Sequence, residues 1–182
     1  MSTFKRICVY LGSNPGKRPI YKRAIYTLVD ELIKRDIGLV YGGSNVGTMK
    51  ILADRMLEKG GEVIGVIPES LVDREIAHTE LTQQHIVNSM HERKALMEKL
   101  SDGFIAIPGG LGTLDELAEI LTWRQLGFHQ KPCGLLNVDG YYDHLLAFFA
   151  HAGNEGFIRE EHWGLLKVAT QPKELLDSMA GA

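Results

Sequence analysis

Two hydrophobic periods alternate along the chain. Short apolar runs read as buried strands: residues 6–11 (RICVYL), 37–43 (IGLVYGG), 62–68 (EVIGVIP), 103–108 (GFIAIP), 133–138 (CGLLNV) and 165–169 (LLKVA). Residues 79–88 (TELTQQHIVN) alternate only weakly and add a further candidate strand. Between these runs the period lengthens. Tyr21, Ala24, Ile25, Leu28, Val29, Leu32 and Ile33 fall at i, i+3, i+4, i+7 and i+8, one face of a helix. Residues 48–60, 90–101, 113–125, 141–153 and 172–180 also read as helices, with Gly60 as a C-terminal stop. Strands that alternate with helices predict an α/β fold: a Rossmann-like, doubly wound sheet, mostly parallel, with helices on both faces. No linker, low-complexity tract or charge block divides residues 1–182, so one nucleotide-binding domain is expected.

Three of the strands end in glycine-rich turns: GSNPG, YGGSNVGT and PGGLGT. In an open parallel sheet, ligands bind outside the carboxyl ends of the strands, so the three turns are expected to line one crevice.

Charge narrows the class of ligand. The net charge is −3, without the basic stripe of a nucleic-acid binder. No apolar run reaches membrane-spanning length, and the run near the N-terminus is too short for a secretory leader. Cys8 and Cys133 both sit in strand-like runs and read as core thiols of a reducing compartment. The expectation is a cytoplasmic protein with no nucleic-acid and no membrane partner.

The turn at residues 108–113 carries the first chemical signal. Glycine lets the backbone approach a ligand closely, and the helix that follows offers unpaired N–H groups at its positive end. A phosphate suits that place, with Thr113 as helix cap and hydroxyl donor. The P-loop signature is absent, and so is G-x-G-x-x-G in the first turn. A monophosphate is therefore the expected ligand, rather than a triphosphate or a dinucleotide. A tight turn with a capped helix and no ligand is the plainer alternative.

The second signal lies in NSMHERKALMEKLS. On a helix, Met90, Met97 and Leu100 share a face with Leu96 beside them, and Arg93 falls in its middle. A guanidinium there needs an anionic partner, because a buried unpaired charge is very costly. It suits a carboxylate or a phosphate bidentately. A structural ion pair, or a side chain reaching for water, is the plainer reading. In the helix after the glycine turn, Leu114, Leu117, Ala118 and Leu121 face the sheet, while Asp115 and Glu119 point outward. Glu116 lies between the two faces, with Ile120 and Trp123, one turn from the phosphate position. A carboxylate one sugar ring from a phosphate is placed for chemistry at the anomeric carbon, where an oxocarbenium-like state forms.

With these residues named, the chain resembles a known family. PGGLGTLDE (108–116) and MHERKALM (90–97) resemble the paired motifs of the LOG family, the cytokinin riboside 5′-monophosphate phosphoribohydrolases formerly labelled possible lysine decarboxylases. VYLGSN, LVYGGSNVGTM and TWRQLG match further stretches, so the resemblance spans nearly the whole chain. It implies a Rossmann-like homodimer that hydrolyses the N-glycosidic bond of AMP or an N6-substituted AMP, releasing free base and ribose 5-phosphate, with no cofactor and no metal. It implies Arg93 and Glu116 as catalytic residues. Substrate-binding positions fall on Glu75, Arg93, Lys94, Gly109, Gly110, Leu111, Gly112, Thr113, Leu114, Asp115, Glu116 and Thr122. Glu75, Lys94 and Thr122 rest on the resemblance alone. Two positions depart from the family pattern: Lys50 in the second turn and Asn14 in the first. Either bears on substrate preference, Lys50 by bulk close to the ligand.

Rival chemistries fare worse. A pyridoxal phosphate enzyme needs a Schiff-base lysine, and the only motif lysine, Lys94, adjoins Arg93. The seven histidines are scattered, without an H-E-x-x-H pair. A non-catalytic nucleotide-binding module is the remaining alternative, and it has no use for a carboxylate aimed at the anomeric carbon.

Overall fold

The computed structural model describes residues 4–75 and 77–181, the side chains of 73–75 excepted. Seven strands form one sheet: β1 (Arg6–Tyr10), β2 (Gly38–Tyr41), β3 (Val63–Pro68), β4 (Gln83–Val87), β5 (Gly103–Ala106), β6 (Cys133–Leu136) and β7 (Leu166–Ala169). Helices α1 (Pro19–Lys34), α2 (Gly47–Glu58), α3 (Glu69–Glu75), α4 (Met90–Leu100), α5 (Leu111–Gln125), α6 (Asp143–Asn154) and α7 (Pro172–Ala180) connect them. The order is β4-β3-β2-β1-β5-β6-β7, and every pairing is parallel.

The alternation along β1 explains the two layers. Ile7 and Val9 join a core with Leu28 and Leu32 of α1 and Leu52 and Met56 of α2. Cys8 and Tyr10 point the other way, into a core with Met97 of α4 and Leu117 and Ile120 of α5. Strands buried on both faces read as continuous apolar runs, which is why they stand out in the sequence. The edge strand β4 is different: Ile86 is 61% exposed, and its pattern is correspondingly weak. Both thiols are free and buried, as expected of core residues, and burial pushes the Cys133 pKa up to about 11.

Three local features depart from the sequence reading. Residues 69–75, which the sequence pattern assigns to no element, form a short helix. Helix α5 begins at Leu111 rather than Thr113, and its N-cap is Gly110, with no side-chain cap. Tyr141 and Tyr142 precede α6 instead of opening it, because a 3-10 turn at Val138–Gly140 intervenes. Gly60 does end α2, with φ +74 and its N–H on the Leu57 carbonyl. No helix among the described residues is long and apolar enough to cross a membrane.

Candidate active site

Strand β1 lies between β2 and β5, so the turns that follow these three strands meet at one end of the sheet. Together with the start of α4 they enclose a cavity of about 360 Å³, a size that suits a small ligand. Gly12, Ser13 and Asn14 line it from the first turn, Gly42 from the second, and Gly110, Leu111, Gly112 and Thr113 from the third. The expected convergence of the three glycine turns is therefore present.

Arg93 and Glu116 form the floor. Arg93 is 7% exposed and Glu116 9%. Arg93 Nη1 stands 3.3 Å from Glu116 Oε1. Arg93 Nε donates to the Val66 carbonyl at 3.0 Å, and Nη2 to the Gly42 carbonyl at 3.3 Å. A charge in the apolar face of α4 is thus satisfied by one carboxylate and by two main-chain oxygens from the ends of β3 and β2. Gly42 is required here by close approach: a Cβ at that position would overlap Arg93 Nη2. The pair is buried yet borders the cavity, so it combines a structural tie with an ionic surface offered to a ligand.

The glycine turn acts by close approach and not by a left-handed backbone. Gly109, Gly110 and Gly112 are absent from the residues with positive φ. A Cβ on Gly109 would overlap Thr113 Oγ1 and come within 2.9 Å of Gly12 N, whereas Gly110 and Gly112 face open space. Thr113 is not the cap that its sequence position suggests. It lies in the first turn of α5, 2% exposed, and its hydroxyl is buried without a hydrogen-bond partner among the described residues. A buried hydroxyl with no partner on the wall of a cavity matches a ligand that supplies one.

The remaining residues drawn from the resemblance sit differently. Lys94 does not line the cavity. Its ammonium bridges Asp115 Oδ2 at 3.2 Å and Glu119 Oε2 at 3.0 Å, tying α4 to α5. Burial opposes the Lys94 charge, but the hydrogen bonds it donates to Glu119 and Asp115 outweigh that and raise the pKa. An amine held this way is poorly disposed to form a Schiff base. Leu114, on α5, is half-buried and packs against the second core, and Asp115 is exposed at the rim. Thr122 lies farther along α5, exposed, with its hydroxyl on the Ala118 carbonyl at 2.7 Å. The Glu75 side chain lies outside the described residues. Gly109 backs the turn without lining the cavity. Of the two departures, Asn14 lines the cavity, but Lys50 turns away to Asp54 at 3.0 Å and to Asn45 at 3.1 Å.

The chain has counterparts among known proteins. A family model described as "Possible lysine decarboxylase" matches residues 49–179. The chain is 48% identical over 175 residues to the cytokinin riboside 5′-monophosphate phosphoribohydrolase LOG of Oryza sativa subsp. japonica, across 96% of this chain and 72% of that one. The chain belongs to the LOG family. A second LOG relative, from Arabidopsis thaliana, carries the same enzyme name and is 48% identical over 178 residues, across 98% of this chain and 84% of its own. Among solved structures, the molybdenum cofactor binding protein of Rippkaea orientalis superposes with a TM-score of 0.69 at 24% identity, over 97% of this chain and 96% of that one. At that identity the likeness establishes the Rossmann-like fold, which the LOG chain shares with it.

Proposed function

We propose that this protein is a nucleoside 5′-monophosphate phosphoribohydrolase acting on AMP or an N6-substituted (cytokinin) AMP. The observation that carries the reading is the buried Arg93–Glu116 pair on the floor of a cavity whose wall is the uncapped start of α5. The substrate phosphate takes the N–H groups at the start of α5 and the Thr113 hydroxyl. That places the ribose over Glu116. As the bond between C1′ and the base nitrogen breaks, positive charge develops on C1′ and the ring oxygen. The Glu116 carboxylate stabilises that charge and orients the water that adds to C1′. The products are free base, which leaves with a proton, and ribose 5-phosphate. The part of the Arg93 guanidinium is to position Glu116 and the substrate. The two LOG relatives carry the name of this reaction.

The same proposal includes a homodimer in the cytoplasm. Apolar side chains such as Phe128 and Phe148, 73% and 61% exposed, offer area for a second copy. Sedimentation of the purified chain tests that part. The reaction is tested by incubating the protein with AMP and with adenosine and resolving free adenine by chromatography. Adenine from AMP, with far less from adenosine, is expected, because phosphate binding energy positions the sugar. Tight AMP binding with no adenine would instead identify a nucleotide-binding module.

A further inference from the structure

Two tyrosines hold the glycine turn from outside the cavity. The Tyr142 hydroxyl donates to the Ile107 carbonyl at 2.8 Å, where β5 runs into the turn. The Tyr141 hydroxyl donates to the Gly109 carbonyl at 2.6 Å, inside the turn itself. Neither side chain borders the cavity.

The segment before α6 is shaped to present them. Asn137 accepts from the Tyr142 N–H at 2.8 Å and donates to Asp143 at 2.7 Å. Asp139 and Gly140 both take left-handed φ, 50° and 72°, and the Asp139 carboxylate is anchored by Arg18 at 2.5 Å. Tyr141 is 43% exposed, yet its ring meets Tyr21 edge-on at 5.7 Å and Tyr142 at 4.8 Å. A surface phenol fixed by two ring contacts and a short hydrogen bond has little freedom left.

The consequence follows from peptide planarity. Fixing the Gly109 carbonyl fixes the plane it shares with the Gly110 N–H, which points the opposite way. Gly110 lines the cavity and is the N-cap of α5, and no side chain caps that helix. A Gly-Gly-Leu-Gly backbone is otherwise very free, and a ligand would bear the entropy of ordering it. We propose that Tyr141 is a positioning residue for phosphate recognition: its hydroxyl sets the Gly109–Gly110 peptide so that the turn meets a sugar phosphate already ordered. This inference rests on the function proposed above.

The test is Tyr141→Phe, which removes one hydroxyl and keeps both ring contacts. Ribose 5-phosphate binding is measured by calorimetry, AMP by KM and kcat, and adenosine by competitive inhibition. The dissociation constant for ribose 5-phosphate and the KM for AMP should each rise roughly fivefold, the factor that about 1 kcal/mol of hydrogen bonding represents. The kcat for AMP and the inhibition constant of adenosine should stay within about twofold, since neither depends on the phosphate. Unchanged ribose 5-phosphate binding in the variant overturns the role of Tyr141 and leaves the proposed function standing. A parallel loss of adenosine affinity also overturns it, because that marks general distortion. Failure of the wild-type protein to bind ribose 5-phosphate overturns both.

Discussion

Replacing Glu116 by glutamine keeps the shape of the side chain and removes its charge, so stability and catalysis can be read separately. At 3.3 Å and an effective dielectric near 20, the attraction to Arg93 is about 5 kcal/mol. Little of that is lost outright. The amide oxygen still accepts from Arg93, and the guanidinium keeps the Val66 and Gly42 carbonyls. A net cost of about 2 kcal/mol is expected, below the ~3–5 kcal/mol of a buried pair broken outright. For a chain of this size that lowers Tm by roughly 4–8 °C. A domain with at least ~5 kcal/mol of stability stays more than ~99% folded at 25 °C after such a loss. The rate should fall much further, on the order of 10²–10³, because a charge aimed at the developing oxocarbenium is gone. Calorimetric AMP affinity within about threefold of wild type would confirm that the ground-state complex survives. The assays are adenine release at saturating AMP, a melting curve and that titration. Turnover within tenfold of wild type would refute the mechanism and leave Glu116 as a structural partner of Arg93.

Thr113→Val replaces a buried hydroxyl that has no partner among the described residues by a methyl of the same size. Tm should hold or rise, while ribose 5-phosphate binding weakens by about tenfold or more, the value of a hydrogen bond to a charged group; unchanged binding would show that no phosphate reaches Thr113. Gly109→Ala places a Cβ against Thr113 Oγ1 and the Gly12 backbone, so Tm should fall together with activity. Gly112→Ala meets no atom of the described residues within 4 Å beyond its neighbours and its own helix backbone and gains helix propensity of up to ~1 kcal/mol, so Tm should hold while the KM for AMP rises; the opposite ranking in a melting assay would contradict this geometry. The hydrogen bond from Arg6, opposed by burial, holds the Glu62 carboxyl below the usual carboxylate range. A carboxyl with a depressed folded pKa stabilises above the unfolded value of about 4.3, and that contribution is lost as pH falls through the folded pKa. Glu62→Gln should therefore cost at most about 1 kcal/mol at pH 7, and the Tm gap to wild type should close as the pH falls below the ordinary glutamate range. A gap independent of pH would mean that the bridge stabilises by packing alone.

The parts of the site visible in the sequence were those with a contrast to reveal them. Arg93 interrupts an apolar helical face, and Glu116 occupies a boundary position, so periodicity alone isolates both. Their other partners are the main-chain oxygens of Val66 and Gly42, and a carbonyl has no side-chain signature. The repeated glycines hinted at Gly42, because close approach leaves glycine as its only trace. Thr113 looked like a cap because threonine commonly is one. Gly110 takes the extended N-cap conformation instead, with φ −100 and ψ −152, so the helix starts earlier and the hydroxyl turns inward. Tyr141 falls inside the helix that the sequence pattern places at residues 141–153. The left-handed pair Asp139–Gly140 breaks that periodicity, and the Asp-Gly dipeptide, which favours positive φ at both residues, was the signal in the sequence that marks it. Residues 69–75 gave no helical signal because a two-turn helix barely establishes a period.

The strand order also has a consequence for synthesis from the ribosome. Residues up to Val87 complete the wing β4-β3-β2-β1 before β5 exists. Until then β1 presents a bare edge of backbone donors and acceptors flanked by Ile7, Cys8, Val9 and Tyr10, the kind of surface that recruits other nascent chains. Helix α4 is the bridge that carries the chain from the far edge of this wing back to the centre, and β5 then closes the exposed flank. The cavity straddles that same closure, with Gly12 and Gly42 on the early side and Thr113 and Glu116 on the late side. A ligand seated there would join the first wing to the helix made just after β5, and each tenfold excess over its dissociation constant would add about 1.4 kcal/mol against reopening.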